Sequence, residues 1–207
     1  MAVHETGHAL VAVFSEHADP VAKVTILPAG QALGVTEQLP ESERHLYPQS
    51  YLTDSLAVRL GGRAAEILVL GEPSTGAAND LASATQLAIR IVKEWGLSDR
   101  VGPIGFSSDG PGYLGDNGLS NRPYAEATQR TIDEEVARLL REAEERAGSL
   151  LRAHRQELDH VVDLLLERET IDGSELLAVV GRSSLDRTDR APVGSAVMHA
   201  RDGAQGR

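Results

Sequence analysis

Apolar residues recur at helical spacing from the first positions of the chain. Val3, Gly7, Leu10, Val11 and Phe14 form one stripe, which predicts a helix ending around His17 to Pro20. Two strand-like stretches follow, 22–27 and 34–39, both rich in Val, Ile and Thr. Pro28 and the two residues after it punctuate them as a turn, so they read as a hairpin or a small sheet edge. A second helix is predicted from about Gln49 to Leu70, with Leu52, Leu56, Leu60, Ala64 and Ile67 as its stripe. Gly61 and Gly62 lie inside it. Each costs about 1 kcal/mol against Ala in a helix, so either the helix bends there or another backbone packs closely against it.

Residues 71–79 carry strong turn chemistry: Gly71, Pro73, Ser74 and Gly76. A third helix is predicted from Asp80 to about Trp95, with Leu81, Ala84, Leu87, Ala88, Ile91 and Trp95 inward and Gly96 as its stop. Residues 102–122 read as a long Gly/Ser/Asp/Pro-rich loop, of a length that is often functional or mobile. A long helix then runs from about 123 to 153. Ile132, Val136, Leu139, Ala143 and Leu150 make its packed seam, and Glu and Arg fill its solvated faces. Leu158, Val161, Val162 and Leu165 continue this helix or pack back on it, and 174–180 reads as a last short helix. From residue 183 apolar residues are sparse and disorder is expected. The pattern implies a mainly α fold with a small β-sheet (α+β), with a domain over 1–182 and a tail over 183–207.

Composition narrows the chemistry. The chain has 207 residues, enough for a core without disulfides, and no Cys. Zinc, if bound, must therefore use His, Asp or Glu. A formal net charge of −11 disfavours nucleic acid and anionic lipid as primary partners. The longest apolar run near the N-terminus, Ala9 to Phe14, falls far short of the ~20 residues of a membrane span and lacks a signal peptide's basic flank. The chain by itself reads as cytosolic.

Chemistry enters at His4-Glu5-Thr6-Gly7-His8. Two histidines four apart lie one turn apart on a helix face, where both imidazoles reach one metal ion. Glu5 sits about 100° around the helix, placed to take a proton from a water beside the metal without ligating it. Chance alone yields such a string in roughly 2% of chains of this composition, so the motif is suggestive by itself. Catalytic zinc normally takes a third protein ligand. The extended motif with a third His fails, because position 14 is Phe14. Asp80 is the candidate on spacing: with Ala84, Leu87 and Ile91 it lies on the predicted buried face, where an unpaired carboxylate is costly. The competing reading, about as strong on spacing alone, makes it a helix cap or a dipole partner, although Asn79 can cap equally well. Glu66 is the rival ligand, but its neighbour Arg63 suggests a semi-buried salt bridge and a supporting role at best. His17, His45, His154, His160 and His199 read as surface or satisfied histidines.

Together these residues resemble the peptidase domain of the FtsH family of ATP-dependent zinc metalloproteases. The resemblance rests on His4 to Val11, Lys23 to Ile26, Leu33 to Thr36, Leu60 to Glu66 and Ser74 to Leu81, with Trp95 to Asp99 also fitting, and it runs from residue 2 to about 180. It implies His4, His8 and Asp80 as zinc ligands and Glu5 as general base. It also implies the second strand, about 34–38, as the edge along which an extended substrate lies. A homohexameric ring and unfolded protein substrates are implied as well, with membrane association in full-length members. Thr6 stands where the family usually has Ala. No Gly-x-x-x-x-Gly-Lys-Ser/Thr string occurs, so the expectation is a peptidase module without its own ATPase, cleaving only unfolded or loose polypeptides. The alternative is a non-catalytic assembly module that keeps the fold. The short stretch before His4 favours it, and the intact Glu5 opposes it. A zinc hydrolase acting on something other than protein is a third, weaker reading.

Overall fold

The computed structural model describes residues 1–28, 34–39, 46–106 and 124–181. The expected turn at Ala29 and Gly30, most of the expected 102–122 loop, His45, His199 and the expected tail lie outside the described residues. The element order is α1 (Ala2–Phe14), β1 (Val21–Thr25), β2 (Val35–Gln38), α2 (Gln49–Leu70), a 3-10 turn (Thr75–Ala77), α3 (Ala78–Lys93), α4 (Glu126–Ala153), α5 (Arg155–Arg168), β3 (Thr170–Asp172) and α6 (Gly173–Val179). A mainly helical fold with a small antiparallel sheet is thus the architecture expected from the pattern. No helix among the described residues is long and apolar enough to cross a membrane.

Helix α1 departs from the expected stripe. Every residue from His4 to Val13 is buried, so the helix has no solvent face and runs through the core. It also ends earlier than expected, at Phe14, with Ser15 extended. Just beyond, the His17 main-chain N–H donates to Asp54 Oδ2 at 2.9 Å instead of extending the helix. Asp54 is fully buried and also pairs with Arg146 and His17. This ties the end of α1 to α2 and α4.

Helix α2 is the hub. Ala57, Val58, Ala64 and Ala65 belong to the core shared with α1, the sheet, α5 and α6. Leu52, Leu56 and Leu60 belong to a second core with α3 and α4. The glycine pair in α2 marks a close approach, not a bend. A Cβ on Gly7 would lie 2.3 Å from the Gly61 carbonyl oxygen, and one on Gly61 would lie 2.7 Å from the Gly7 carbonyl oxygen. α1 and α2 therefore cross backbone to backbone. Gly7→Ala is expected to lower unfolding stability by about 1–3 kcal/mol in urea titrations, despite alanine's better helix propensity.

Sheet order is β2-β1-β3, with β1 antiparallel to both neighbours. The third strand was not anticipated from the pattern, being only three residues long. Among the described residues it makes β1 central and leaves β2 at an edge. α3 begins earlier than expected, at Ala78, so Asn79 lies inside the helix and caps nothing. Leu81, expected inward, is exposed, while Ala84, Ala88, Ile91 and Val92 are buried. The acidic face of α4 is not wholly solvated either. Glu135 is buried and accepts from Ser98 Oγ at 2.9 Å and from Arg138, joining the segment after α3 to α4. α5 is a separate helix following His154, whose ring stacks on Phe14 with centroids 3.5 Å apart.

Candidate metal centre

Backbone geometry brings the two histidines of α1 and the acid of α3 to one point. His4 Nε2 lies 3.1 Å from His8 Nε2 and 3.1 Å from Asp80 Oδ2, and His8 Nε2 lies 3.5 Å from the same oxygen. Both histidines are buried and Asp80 is half-buried. The first turn of α1 is closed by a hydrogen bond from the Glu5 N–H to the Met1 carbonyl at 3.0 Å, so His4 stands on ordered helix.

The outer nitrogens set the tautomers. His8 Nδ1 lies 2.7 Å from the Val58 main-chain carbonyl, which only accepts, so this nitrogen carries the proton. His4 Nδ1 lies 3.0 Å from Glu66 Oε1. Burial of Glu66 favours its neutral form, but the Ser74 N–H, the Ser74 hydroxyl and His4 outweigh burial and hold its pKa below the usual carboxylate range. Glu66 is therefore an anion, and His4 Nδ1–H donates to it. Each neutral ring then turns an Nε2 lone pair inward, and both face each other and the Asp80 carboxylate. Three electron-rich atoms at these separations repel one another unless a cation or a proton sits among them. The titration behaviour reflects that potential. Burial disfavours charge on both groups, yet Asp80, Glu5 and Glu66 raise the His4 pKa, and a proton on His4 or His8 shared with the Asp80 carboxylate holds that acid well below the usual carboxylate range. Two imidazoles and a carboxylate, each imidazole anchored through its other nitrogen, suit zinc. Among the described residues this is the one such group of donors.

Gly62 completes the cradle. A Cβ there would stand 2.6 Å from both Nε2 atoms. The glycine pair of α2 thus does two jobs: Gly61 admits α1, and Gly62 leaves room for the inward-facing rings.

Glu66 is the partner of His4, not a member of the inward-facing set, and Arg63 pairs with Glu144 rather than with Glu66. Its oxygens also accept from the Ser74 N–H at 2.7 Å and the Ser74 hydroxyl at 2.8 Å. That clasp fixes the turn from which α3 starts and so aims Asp80. Glu66→Gln removes the charge behind His4 and is expected to weaken zinc binding about 10–100-fold in chelator competition.

Glu5, next to His4, is buried and lies against β2. Its Oε2 accepts from the Thr36 hydroxyl at 2.9 Å. The structure brings His4, His8 and Asp80 together, with Glu5 next to His4 along α1. Thr36, Ser74 and the Val58 carbonyl were missed. Ser74 lay in a flagged turn, but a main-chain acceptor leaves no trace in a side-chain pattern.

The chain is also similar to known proteins. Residues 1–179 match the family model for Peptidase family M41. A protein of Acidothermus cellulolyticus named "ATP-dependent zinc metalloprotease FtsH" is 63% identical over 183 residues, 88% of this chain and 28% of the relative. A protein of the same name from Acidimicrobium ferrooxidans is 54% identical over 89% of this chain and 28% of its own length. Another from Kosmotoga olearia is 45% identical over 93% of this chain and 30% of its own length. The chain spans under a third of the length of these curated relatives.

Proposed function

The chain belongs to peptidase family M41, and from that membership we propose that it is a zinc-dependent endopeptidase domain that hydrolyses peptide bonds of unfolded polypeptides. The observation that carries this reading is the convergence of two Nε2 lone pairs and the Asp80 carboxylate, with the buried Glu5 carboxylate one residue along the helix. His4, His8 and Asp80 are the ligands. Zinc bound there supplies a Lewis acid that polarises the scissile carbonyl and makes a water more acidic. Glu5 accepts the proton of the attacking water and afterwards delivers a proton to the departing amine nitrogen. Glu66 and the Val58 carbonyl hold the two rings in the ligating tautomer. The edge strand β2 receives an extended substrate by main-chain pairing, which binds many sequences with little side-chain selectivity.

The peptidase domain is read as residues 1–182. Coupling to ATP-driven unfolding, assembly into six-fold rings and membrane attachment belong to the longer family form, and the same proposal extends to them. A purely structural module would not need Glu5 beside the histidines, which disfavours the assembly reading. The test uses fluorescein-labelled casein as an unfolded substrate. Cleavage is expected from the zinc-loaded chain, lost on chelation and restored by one equivalent of zinc. A folded chain that holds zinc and leaves casein intact contradicts the reading.

A further inference from the structure

We propose that Thr36 is a positioning residue for Glu5, so that the edge strand which receives substrate also aims the base. This rests on the peptidase reading above. Three observations carry it. The Thr36 hydroxyl lies 2.9 Å from Glu5 Oε2 and 3.1 Å from the Glu5 main-chain carbonyl oxygen, so its proton is shared between them. Among the described residues it is the only hydrogen-bond donor to the Glu5 carboxylate. Gly34, two residues earlier, is shaped to the same group. A Cβ there would stand 2.8 Å from Glu5 Oε1 and 2.9 Å from its Cγ.

Glutamate is among the side chains with most rotamer freedom to lose, and a base works only in the rotamer that meets its proton. One donor on Oε2 fixes the carboxylate plane, and Gly34 leaves the space that Oε1 occupies. Oε1 is then the oxygen left to accept the proton. The contact also links alignment of the substrate to alignment of the base. Any shift of β2 along α1 moves the Thr36 hydroxyl off Oε2. A short strand at the sheet edge is where such a shift is easiest, because only β1 pairs with it among the described residues.

A plain tether between β2 and α1 would show the same hydrogen bonds, so the test must separate tethering from aiming. Thr36→Val keeps the branched shape and removes the hydroxyl, whereas Thr36→Ser restores the hydroxyl. With fluorescein-labelled casein and matched zinc occupancy, Thr36→Val is expected to lower kcat about 10–100-fold, a part of the 10²–10⁴ a general base contributes. KM stays at the parent's value, the melting temperature falls modestly because a buried carboxylate loses its donor, and Thr36→Ser recovers most of kcat. A crystal structure of zinc-loaded Thr36→Val is expected to show the Glu5 carboxylate spread over more than one rotamer, against one in the parent. An unchanged kcat in Thr36→Val, or a raised KM with a lowered melting temperature and normal kcat, overturns the aiming role while leaving the peptidase reading intact. A parent chain that binds zinc and does not cleave casein overturns the peptidase reading and this inference with it.

Discussion

Gly62→Ala is expected to abolish metal binding while leaving the chain folded. In a helix interior the substitution by itself favours folding by about 0.5–1 kcal/mol. Here the new methyl would lie 2.6 Å from His4 Nε2, His4 Cε1 and His8 Nε2. Both rings must swing away from the point they share with Asp80. Their outer hydrogen bonds to Glu66 and the Val58 carbonyl resist that swing, so neither ring can turn without losing its anchor. Loss of an orienting partner costs roughly 10–100-fold in metal affinity. Displacing two ligands at once should exceed that range. Chelator competition measures the affinity and urea unfolding of the metal-free chain measures stability. Affinity is expected to collapse with stability kept. Parent-like zinc affinity in Gly62→Ala would mean that the ion sits elsewhere.

Glu5→Gln is expected to do the opposite: keep the metal and lose turnover. Glutamine matches glutamate in shape, and its amide oxygen can still accept from Thr36. It cannot accept a proton from water at neutral pH. The loss of a general base is worth 10²–10⁴ in rate. Because Glu5 lies outside the inward-facing donor set, zinc content should match the parent. The initial rate of casein cleavage at equal zinc occupancy reads the effect. A variant that cleaves within a few-fold of the parent would remove Glu5 from the mechanism.

The parts of this site legible in the sequence were those whose chemistry depends on spacing. A spacing of four positions places two histidine rings on one helix face whatever the tertiary fold. Asp80 was less legible. Its spacing with Ala84 and Ile91 placed it toward the core, but Leu81 beside it proved exposed, and Asn79 proved to be helical instead of a cap. What decided its place was Ser74 clasping Glu66 from across a turn, a contact between residues eight apart that no periodicity encodes. Gly61 and Gly62 announced either a bend or a close approach, since two glycines in a helix need a reason. Which atoms approached was a matter of how α1 crosses α2. The same limit explains α1 itself. Its sequence shows an amphipathic stripe because small residues such as Ala9 and Ala12 do not register as strongly apolar, yet they are buried on its other faces. β3 escaped notice because three residues carry too little alternation to stand out.

The most direct test of the central claim is a crystal structure of the zinc-loaded chain with anomalous scattering recorded at the zinc edge. The expected result is a single strong peak bonded to His4 Nε2, His8 Nε2 and the Asp80 carboxylate, with Glu66 still on His4 Nδ1 and Glu5 facing the ion without touching it. A peak ligated by Glu66 in place of Asp80, or no peak between the two histidines in a chain that carries zinc, would contradict the account.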